Sequence, residues 1–245
     1  MLLLFWAVGA KLWVGRDTDG RGFFYDLKVP EKLAEQKHEI EYKFDIVHAL
    51  GGRVSDVRLE VCCDKGDDGF VEDILGARGV RRDDVLVGIN CSTFRPSRNW
   101  TAERYADLAD RLHDRLNARV CFTGVAGDKS LFEEIKGLAG CNITDLMGVF
   151  TTRQLACFFK RCRLLISPDC GAAHIAAAVR APLVVLFGPG EYARYRPYGN
   201  DNKTIVIRKE VDCSPCLRDV CRHKKCMMLI TPAEVFDAAR RLLKQ

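Results

Sequence analysis

The stretch LLISPDCGAAHIAAAVRAPLVVLFGPG, residues 164–190, decides the fold of this chain. An apolar run ends at Ser167, a helix-like segment follows at 171–180, and a second apolar run follows at 182–188. Strands that are apolar at every position are typical of parallel sheets, because helices cover both faces of such sheets. The stretch therefore predicts two neighbouring parallel strands of an α/β domain.

The same alternation continues on both sides of this stretch. Short apolar runs predict strands at 85–90, 118–124, 142–146, 163–167, 182–188 and 204–209. Amphipathic spacing predicts helices from Thr101 to Leu116, over 128–138, around Leu155 to Phe159 and from Thr231 onward. Thr101 is expected to cap the first of these, and Leu138 is expected to be buried by the second. In the last of these, Thr231, Pro232 and Glu234 have the pattern of a capping box. The expected fold class is α/β, with a complete C-terminal Rossmann-like domain over 81–245.

Residues 1–80 carry a weaker pattern and are predicted to form a partial N-terminal α/β domain. The segment 37–52 has helical spacing and a glycine stop, and 57–61 has the alternation of a strand. The polar segment 76–84 is the candidate linker.

The opening segment 1–16 is apolar but lacks a basic start and a small-residue cleavage site. It predicts buried structure, with a secretory signal as the alternative. The string Asp17-Thr18-Asp19 matches the D-x-D pattern of metal-dependent transferases, but the glycines that follow favour a turn.

Composition narrows the functional classes. The chain has 245 residues, 48% of them hydrophobic and 29% charged, with a formal net charge of +5. This is typical of a soluble globular protein, and no segment approaches the roughly 18 to 20 apolar residues of a membrane span. The mild positive charge suits a small anionic ligand and falls short of a nucleic-acid-binding signature.

Candidate chemistry lies at the junction of the strand that ends near Ser167 and the following helix. Ligands bind at the carboxyl ends of strands in open α/β sheets, and the first turn of a helix offers free amides to a diphosphate. Gly171 allows close approach, Asp169 can accept hydrogen bonds from sugar hydroxyls, and His174 can donate to a phosphate. The alternative is that Asp169 only caps the helix and His174 is a core histidine. A second glycine turn at 187–190, containing Gly188, would stand beside the first.

The loop NCSTFRPSRNW, residues 90–100, offers hydroxyls and guanidinium groups after the first strand of this domain. Ser92, Thr93, Arg95 and Arg98 are suited to phosphate oxygens. The alternative is a solvated basic loop with Trp100 packed under the next helix.

The chain has twelve cysteines. Eight lack ligand spacing and are predicted to be reduced, buried thiols of a cytoplasmic protein: Cys62, Cys63, Cys91, Cys121, Cys141, Cys157, Cys162 and Cys170. The remaining four, Cys213, Cys216, Cys221 and Cys226, have the spacing C-x2-C-x4-C-x4-C. They suggest either a structural zinc site or a zinc-knuckle RNA binder, although the segment lacks aromatic residues for base stacking.

Several blocks, in this order, resemble glycosyltransferase family 9, the heptosyltransferases of the lipopolysaccharide inner core. The blocks are STFRPSRNWTAERYADLADRL, TGVAGDK, LMGVFTTRQLACFFKRCRLLISPDCGAAHIAAAVRAPLVVLFGPG and CSPCLRDVCRHKKCMMLITPAEV. The resemblance is strong over residues 85–245. Before residue 85 it is weaker and rests on the segments 14–23 and 37–52.

The resemblance implies a GT-B-like fold and transfer of an ADP-activated heptose, with inversion, to a lipid-linked core oligosaccharide. It implies no metal for catalysis, no nucleic-acid partner and a cytoplasmic protein at the inner face of the inner membrane, in peripheral contact with it. It places Asp169, Cys170, Gly171 and His174 on the family's D-[ST]-G-x-x-H donor segment. It further places Arg98 and Thr93 at the phosphates, Asp128 at the ribose, and Leu146 and Met147 at the adenine. With Gly188 of the second turn, these are the predicted donor-binding residues.

The sequence departs from the family pattern in two respects. Cys170 stands where the family has Ser or Thr, and a thiol is a weak hydrogen-bond donor. The family's catalytic aspartate, a general base, is expected upstream of anything that matches Met1. The catalytic residue is therefore unknown, and the alternative function is a non-catalytic nucleotide-binding fragment.

Overall fold

The computed structural model describes residues 9–18, 20, 22–31, 36–216 and 218–244. The chain divides into two compact units. The smaller unit comprises Met1–Val57 and Tyr192–Arg196, and the larger comprises Arg58–Glu191 and Pro197–Gln245. The division falls at Val57 rather than within the predicted linker at 76–84. A domain boundary at residue 80 stays a prediction.

The elements are numbered in chain order. The strands are β1 (Val14–Asp17), β2 (Leu27–Pro30), β3 (Val85–Asn90), β4 (Ala118–Gly124), β5 (Thr144–Met147), β6 (Leu164–Pro168), β7 (Leu183–Phe187) and β8 (Thr204–Arg208). The helices are α1 (Glu39–Ala49), α2 (Lys65–Ala77), α3 (Ala102–Leu116), α4 (Lys129–Leu138), α5 (Thr152–Arg161), α6 (Gly171–Ala178), α7 (Tyr192–Tyr195), α8 (Lys225–Met228) and α9 (Pro232–Leu243).

A six-stranded parallel sheet forms the centre of the larger unit, in the order β5-β4-β3-β6-β7-β8. Successive strands of the chain run outward from β3 in one direction and from β6 in the other. Val87 of β3 pairs with Leu164 of β6, and Leu165 pairs with Leu183 of β7. This is the doubly wound strand order, and its reversal between β3 and β6 is where such sheets bind ligands.

Helices cover both faces of this sheet. Val87 and Ile89 of β3 belong to a buried cluster that includes residues of α3, α4 and α9. Gly88, which the pleat points to the opposite face, lies against Phe158 and Cys162 at the end of α5. The continuous apolar strands are thus explained by burial on two sides.

Most elements predicted from the sequence are confirmed. The strands of the larger unit are present within two residues of their predicted ends, and the capping box of α9 forms through Thr231 and Glu234. In the smaller unit, the predicted helix is α1, and Gly51 beyond its end has φ +80°.

Three local predictions are wrong. Residues 57–61 alternate in burial but form no strand, because no described strand lies alongside them to complete the hydrogen bonds. Thr101 precedes α3 without a side-chain capping bond. Leu138 at the end of α4 is 50% exposed, because the helix buries Phe132 and Ile135 instead.

The chain start also differs from the expectation. Residues 1–8 lie outside the described residues, and residues 9–12, predicted to be buried, are exposed. Asp19 of the D-x-D string likewise lies outside the described residues, so that interpretation stays a prediction. In the described part of the chain, no helix has both the length and the apolar composition that crossing a bilayer requires.

In the smaller unit, the parallel pair β1–β2 is joined to α1 and α7 by an ion-pair cluster. Arg16 and Arg194 both pair with Glu39, at 2.8 and 2.9 Å, and both also contact Glu31. The two guanidinium groups lie 5.4 Å from the ring centre of Tyr42. Burial alone would raise the pKa of Glu39, but hydrogen bonds from Arg16, Lys43 and Arg194 outweigh it and lower the pKa from 4.5 to about 2.

Replacing Glu39 by Gln is expected to destabilise the protein at pH 7, and less so at pH 3. The lowered pKa of Glu39 gives stability that is fully present above pH 4.5 and is lost as the pH falls towards 2. Urea unfolding midpoints at the two pH values measure the difference in stability between wild type and Glu39→Gln. Glu133→Gln, at an exposed position on α4, is the control. If the difference in stability were as large at pH 3 as at pH 7, this role for Glu39 would be contradicted.

Candidate functional site

A pocket of about 260 Å³ lies in the larger unit, where the carboxyl ends of β3, β4, β5 and β6 meet. This edge includes the reversal between β3 and β6, the position at which doubly wound sheets bind ligands. Its lining residues are Asn90, Ser92, Thr93, Phe94, Thr123, Gly124, Val125, Asp128, Leu146, Phe150, Thr152, Leu155, Cys170, Gly171, Ala172 and Ile175.

One part of the lining is polar and comes from the end of β3. The Asn90 side-chain amide donates to the Ser92 carbonyl at 2.8 Å and lies 3.4 Å from the Cys170 sulfur. The Thr93 hydroxyl donates to the Arg95 carbonyl at 2.8 Å and accepts from the Arg95 amide at 3.0 Å. These bonds hold the polar groups in fixed positions before any ligand arrives.

Another part of the lining is apolar. Leu146 ends β5, Phe150 and Leu155 come from the loop and helix that follow, and Ile175 comes from α6. The ring of Phe150 stacks on that of Phe158, with centroids 5.3 Å apart and planes at 22°. A narrow apolar space of this kind suits a flat ring system such as a nucleobase.

The start of α6 opens onto the pocket. Cys170 is at the N-cap, and its side chain makes no capping bond to the helix. The Ala173 amide donates to the Cys170 carbonyl at 3.1 Å. Space is open around the α-carbon of Gly171, so a ligand can approach the amides at the start of the helix. Burial raises the pKa of the Cys170 thiol, while the Ser167 hydroxyl, 3.4 Å from the sulfur, opposes the rise.

Arg98 and Asp169 form an ion pair beneath the loops of this edge. Arg98 Nη1 lies 2.7 Å from Asp169 Oδ2 and donates to the Asp169 carbonyl at 2.9 Å. Their side chains are 13% and 3% exposed. Burial raises the pKa of Asp169, and the charges of Arg98 and Arg95 oppose that rise. The carboxylate of Asp169 is therefore directed at a protein cation.

The cysteine-containing segment from Cys213 to Met228 supports two of the loops at this edge. The Ser97 amide and hydroxyl donate to the carbonyls of Asp219 and Arg218 at 2.9 and 2.5 Å. The Cys216 amide donates to the Pro189 carbonyl at 3.1 Å. We refer to residues 213–228 as the buttress segment.

Gly188 and Trp100 also pack on the buttress segment. A side chain on Gly188 would come within 2.5 Å of the Met227 sulfur, so a larger residue there would displace the segment. The buried indole of Trp100 donates to the carbonyls of Met227 and Ile230, at 3.3 and 3.2 Å. The packing of Trp100 under the next helix, which belonged to the alternative interpretation of this loop, is present, because its ring lies 5.4 Å from that of Tyr105 in α3.

All twelve cysteines are free thiols. Of the eight predicted to be buried, Cys91, Cys121, Cys157 and Cys162 are buried, whereas Cys62, Cys63, Cys141 and Cys170 are not. The exceptions lie in loops or, for Cys170, at the pocket. Among the described residues, no three His, Cys, Asp or Glu side chains come together as metal ligands would. The four cysteines of the buttress segment therefore do not form a metal site in this arrangement, and the structural zinc stays a prediction.

The structure places half of the predicted donor-binding residues at the pocket. Thr93, Asp128, Leu146, Cys170 and Gly171 line it. Arg98, Met147, Asp169, His174 and Gly188 are not among the lining residues, and their part in donor binding stays a prediction.

Sequence reasoning missed several lining residues. Asn90 and Thr123 stand at strand ends, so the strand-end rule applied to β3 and β4 would have found them. Phe150, Leu155 and Ile175 gave no signal, because apolar side chains that face a pocket look the same in a sequence as those that face the core.

The comparisons with known proteins agree with this geometry. The sequence model of glycosyltransferase family 9 (heptosyltransferase) matches residues 3–227. Lipooligosaccharide heptosyltransferase 2 of Campylobacter jejuni is 27% identical over 174 residues, which cover 67% of this chain and 53% of that protein. Lipopolysaccharide heptosyltransferase 3 of Escherichia coli is 30% identical over 243 residues, which cover 86% of this chain and 68% of that protein. The chain thus spans about half to two thirds of the length of these relatives.

Solved structures show the same fold. A glycosyl transferase family 9 structure from Veillonella parvula superposes with a TM-score of 0.85 at 24% identity, covering 99% of this chain and 70% of that one. The E. coli ADP-heptose heptosyltransferase II superposes with a TM-score of 0.78 at 20% identity, covering 100% of this chain and 73% of that one. The predicted GT-B-like α/β fold is confirmed. With the family matched over residues 3–227, this chain belongs to glycosyltransferase family 9, the heptosyltransferase family.

Proposed function

We propose that this chain binds an ADP-activated heptose and that the protein transfers the heptose, with inversion, to the inner core of lipopolysaccharide. The observation that carries the proposal is the pocket at the reversal of strand order, which joins an apolar space to the open start of α6. Membership of family 9 supports the class of reaction. The acceptor is a lipid-linked oligosaccharide, which would place the protein at the cytoplasmic face of the inner membrane.

In this proposal, the pocket holds the nucleotide part of the donor. The adenine lies against Leu146, Phe150 and Leu155, and Asp128 accepts hydrogen bonds from the ribose hydroxyls. Thr93 and the first-turn amides of α6 hold the diphosphate. Solved structures of the E. coli heptosyltransferase WaaC contain ADP and ADP-2-deoxy-2-fluoro heptose, which supports an adenine nucleotide as donor in this family.

The chemical role of the pocket is to stabilise the leaving group. When an acceptor hydroxyl attacks the anomeric carbon, the bond to the diphosphate breaks and negative charge develops on the leaving oxygen. Fixed amides and a helix dipole stabilise that charge without reorganising. A general base must take the proton of the acceptor hydroxyl, and we assign that role to no residue of this chain.

We further propose that Arg98 adds positive potential near the diphosphate and that Asp169 holds it in place. Arg98 Nε is buried and has no hydrogen-bond partner among the described residues. Such a donor is costly to leave unpaired, and a phosphate oxygen would satisfy it. This differs from the sequence expectation that Asp169 itself binds sugar hydroxyls.

ADP is expected to bind the chain and raise its melting temperature without added metal. Leu155→Arg should abolish the shift, because a long charged side chain would fill the apolar part of the pocket. Leu138→Arg, at an exposed position outside the lining, is the matched control and should keep the shift. Thermal unfolding with and without ADP makes the measurement. Equal shifts in both variants would contradict the proposed pocket.

A double-mutant cycle on Arg98 and Asp169 tests the positioning role of Asp169. Arg98→Gln and Asp169→Asn should each weaken ADP binding about tenfold, and the double variant should be no weaker than Arg98→Gln alone. Calorimetric titration with ADP gives the affinities, and melting temperatures confirm that the variants are folded. If Asp169 contacted only the sugar, Asp169→Asn would bind ADP normally and lose affinity only for ADP-heptose.

Turnover separates an enzyme from a non-catalytic nucleotide-binding protein. ADP release from ADP-heptose is expected to depend on a lipopolysaccharide core acceptor. Binding of ADP-heptose without any release would favour the non-catalytic alternative. Release that does not depend on the acceptor would be hydrolysis by water and would contradict transfer to the acceptor. Gly171→Val, which blocks approach to the first turn of α6, is expected to abolish release while the fold persists.

A further inference from the structure

The loop between β3 and α3 carries an exposed aromatic side chain. Phe94 is 95% exposed, the largest fraction of any large apolar side chain in the described part of the chain. Leaving a phenylalanine in water forgoes the roughly 1.5 to 3 kcal/mol that its burial would provide. Single exposed apolar side chains are common on protein surfaces, so the exposure of Phe94 acquires meaning from the position of the ring in the molecule.

Looseness of the loop does not explain the exposure. Thr93 and Arg95 bond to each other on either side of Phe94. Arg95 also pairs with Asp219 of the buttress segment at 3.1 Å, and the Arg98 amide donates to the Arg95 carbonyl at 2.9 Å. The backbone on both sides of Phe94 is therefore fixed, and its ring is held out into solvent.

Phe94 is also part of the pocket lining, which indicates what covers it. Val125, another lining residue, is 48% exposed. These two side chains follow the paired ends of β3 and β4, where Asn90 is in register with Thr123. Val125 shares the loop after β4 with Asp128, the residue proposed to bind the ribose, and the Asp128 amide donates to the Val125 carbonyl at 3.0 Å.

We propose that Phe94 packs on the carbon face of the donor ribose and so closes the pocket over the bound nucleotide. This inference rests on the proposed donor site. A furanose ring presents both hydroxyls and a carbon face, so Asp128 binds the former while Phe94 and Val125 cover the latter. Covering the ribose also excludes water from the diphosphate, which strengthens the hydrogen bonds made there.

Removing the ring tests the contact. Phe94→Ala is expected to weaken the binding of ADP and of AMP by the same factor, about tenfold, because both ligands carry the ribose. Phe23→Ala, at another exposed phenylalanine that does not line the pocket, is the matched control and should leave both affinities unchanged. Calorimetric titrations of wild type and both variants give the comparison.

Phe94→Trp supplies a spectroscopic signal that a merely structural residue would not give. It is expected to bind ADP within about threefold of wild type, and its fluorescence should change on binding as the indole leaves water. The three native tryptophans, Trp6, Trp13 and Trp100, contribute a background that the wild-type titration subtracts. Phe23→Trp should show no ADP-dependent change.

The outcomes distinguish this inference from the proposed function. If wild type binds neither ADP nor AMP, the proposed donor site fails. A second outcome is that wild type binds ADP and AMP, Phe94→Ala binds them with the same affinity, and the fluorescence of Phe94→Trp does not change on binding. That result would overturn only the role of Phe94. A loss confined to ADP-heptose, with ADP and AMP unaffected, would place the ring on the transferred sugar and overturn the ribose contact.

Discussion

The reversal of strand order between β3 and β6 is the constraint on which the rest of the structure depends. From this point the chain winds outward through β4 and β5 in one direction and through β7 and β8 in the other. The loops after β3 and β6 therefore leave the sheet in different directions and open a crevice between them. Because both strands are buried on two faces, the floor of the crevice is rigid and only the loops above it vary.

The buttress segment gives those loops their shape. It bonds to the loop after β3 through Ser97 and to the glycine turn after β7 through Pro189. It packs so closely on Gly188 that a side chain at that position does not fit. Through these hydrogen bonds and this packing, the buttress segment ties two separate strand ends to one common support.

The sequence was most informative where a single physical effect determines the structure. Continuous apolar runs arise from two-sided burial, so the six strands of the large sheet could be predicted from them. Residues 57–61 show the limit, because alternation marks which side chains are buried but not whether a neighbouring strand exists. The Arg98–Asp169 pair joins residues 71 positions apart, and no local pattern records such a contact. Leu155 and Ile175 are apolar helix residues in the sequence, whether they contact the core or a ligand.

Cys170 has a consequence for chemical probes of this site. A cysteine beside a proposed nucleotide is an obvious target for a covalent inhibitor. Only a thiolate attacks electrophiles rapidly, and burial raises the pKa of the Cys170 thiol. Weak electrophiles would therefore react slowly here, and selectivity would have to come from tight reversible binding that holds the warhead beside the sulfur.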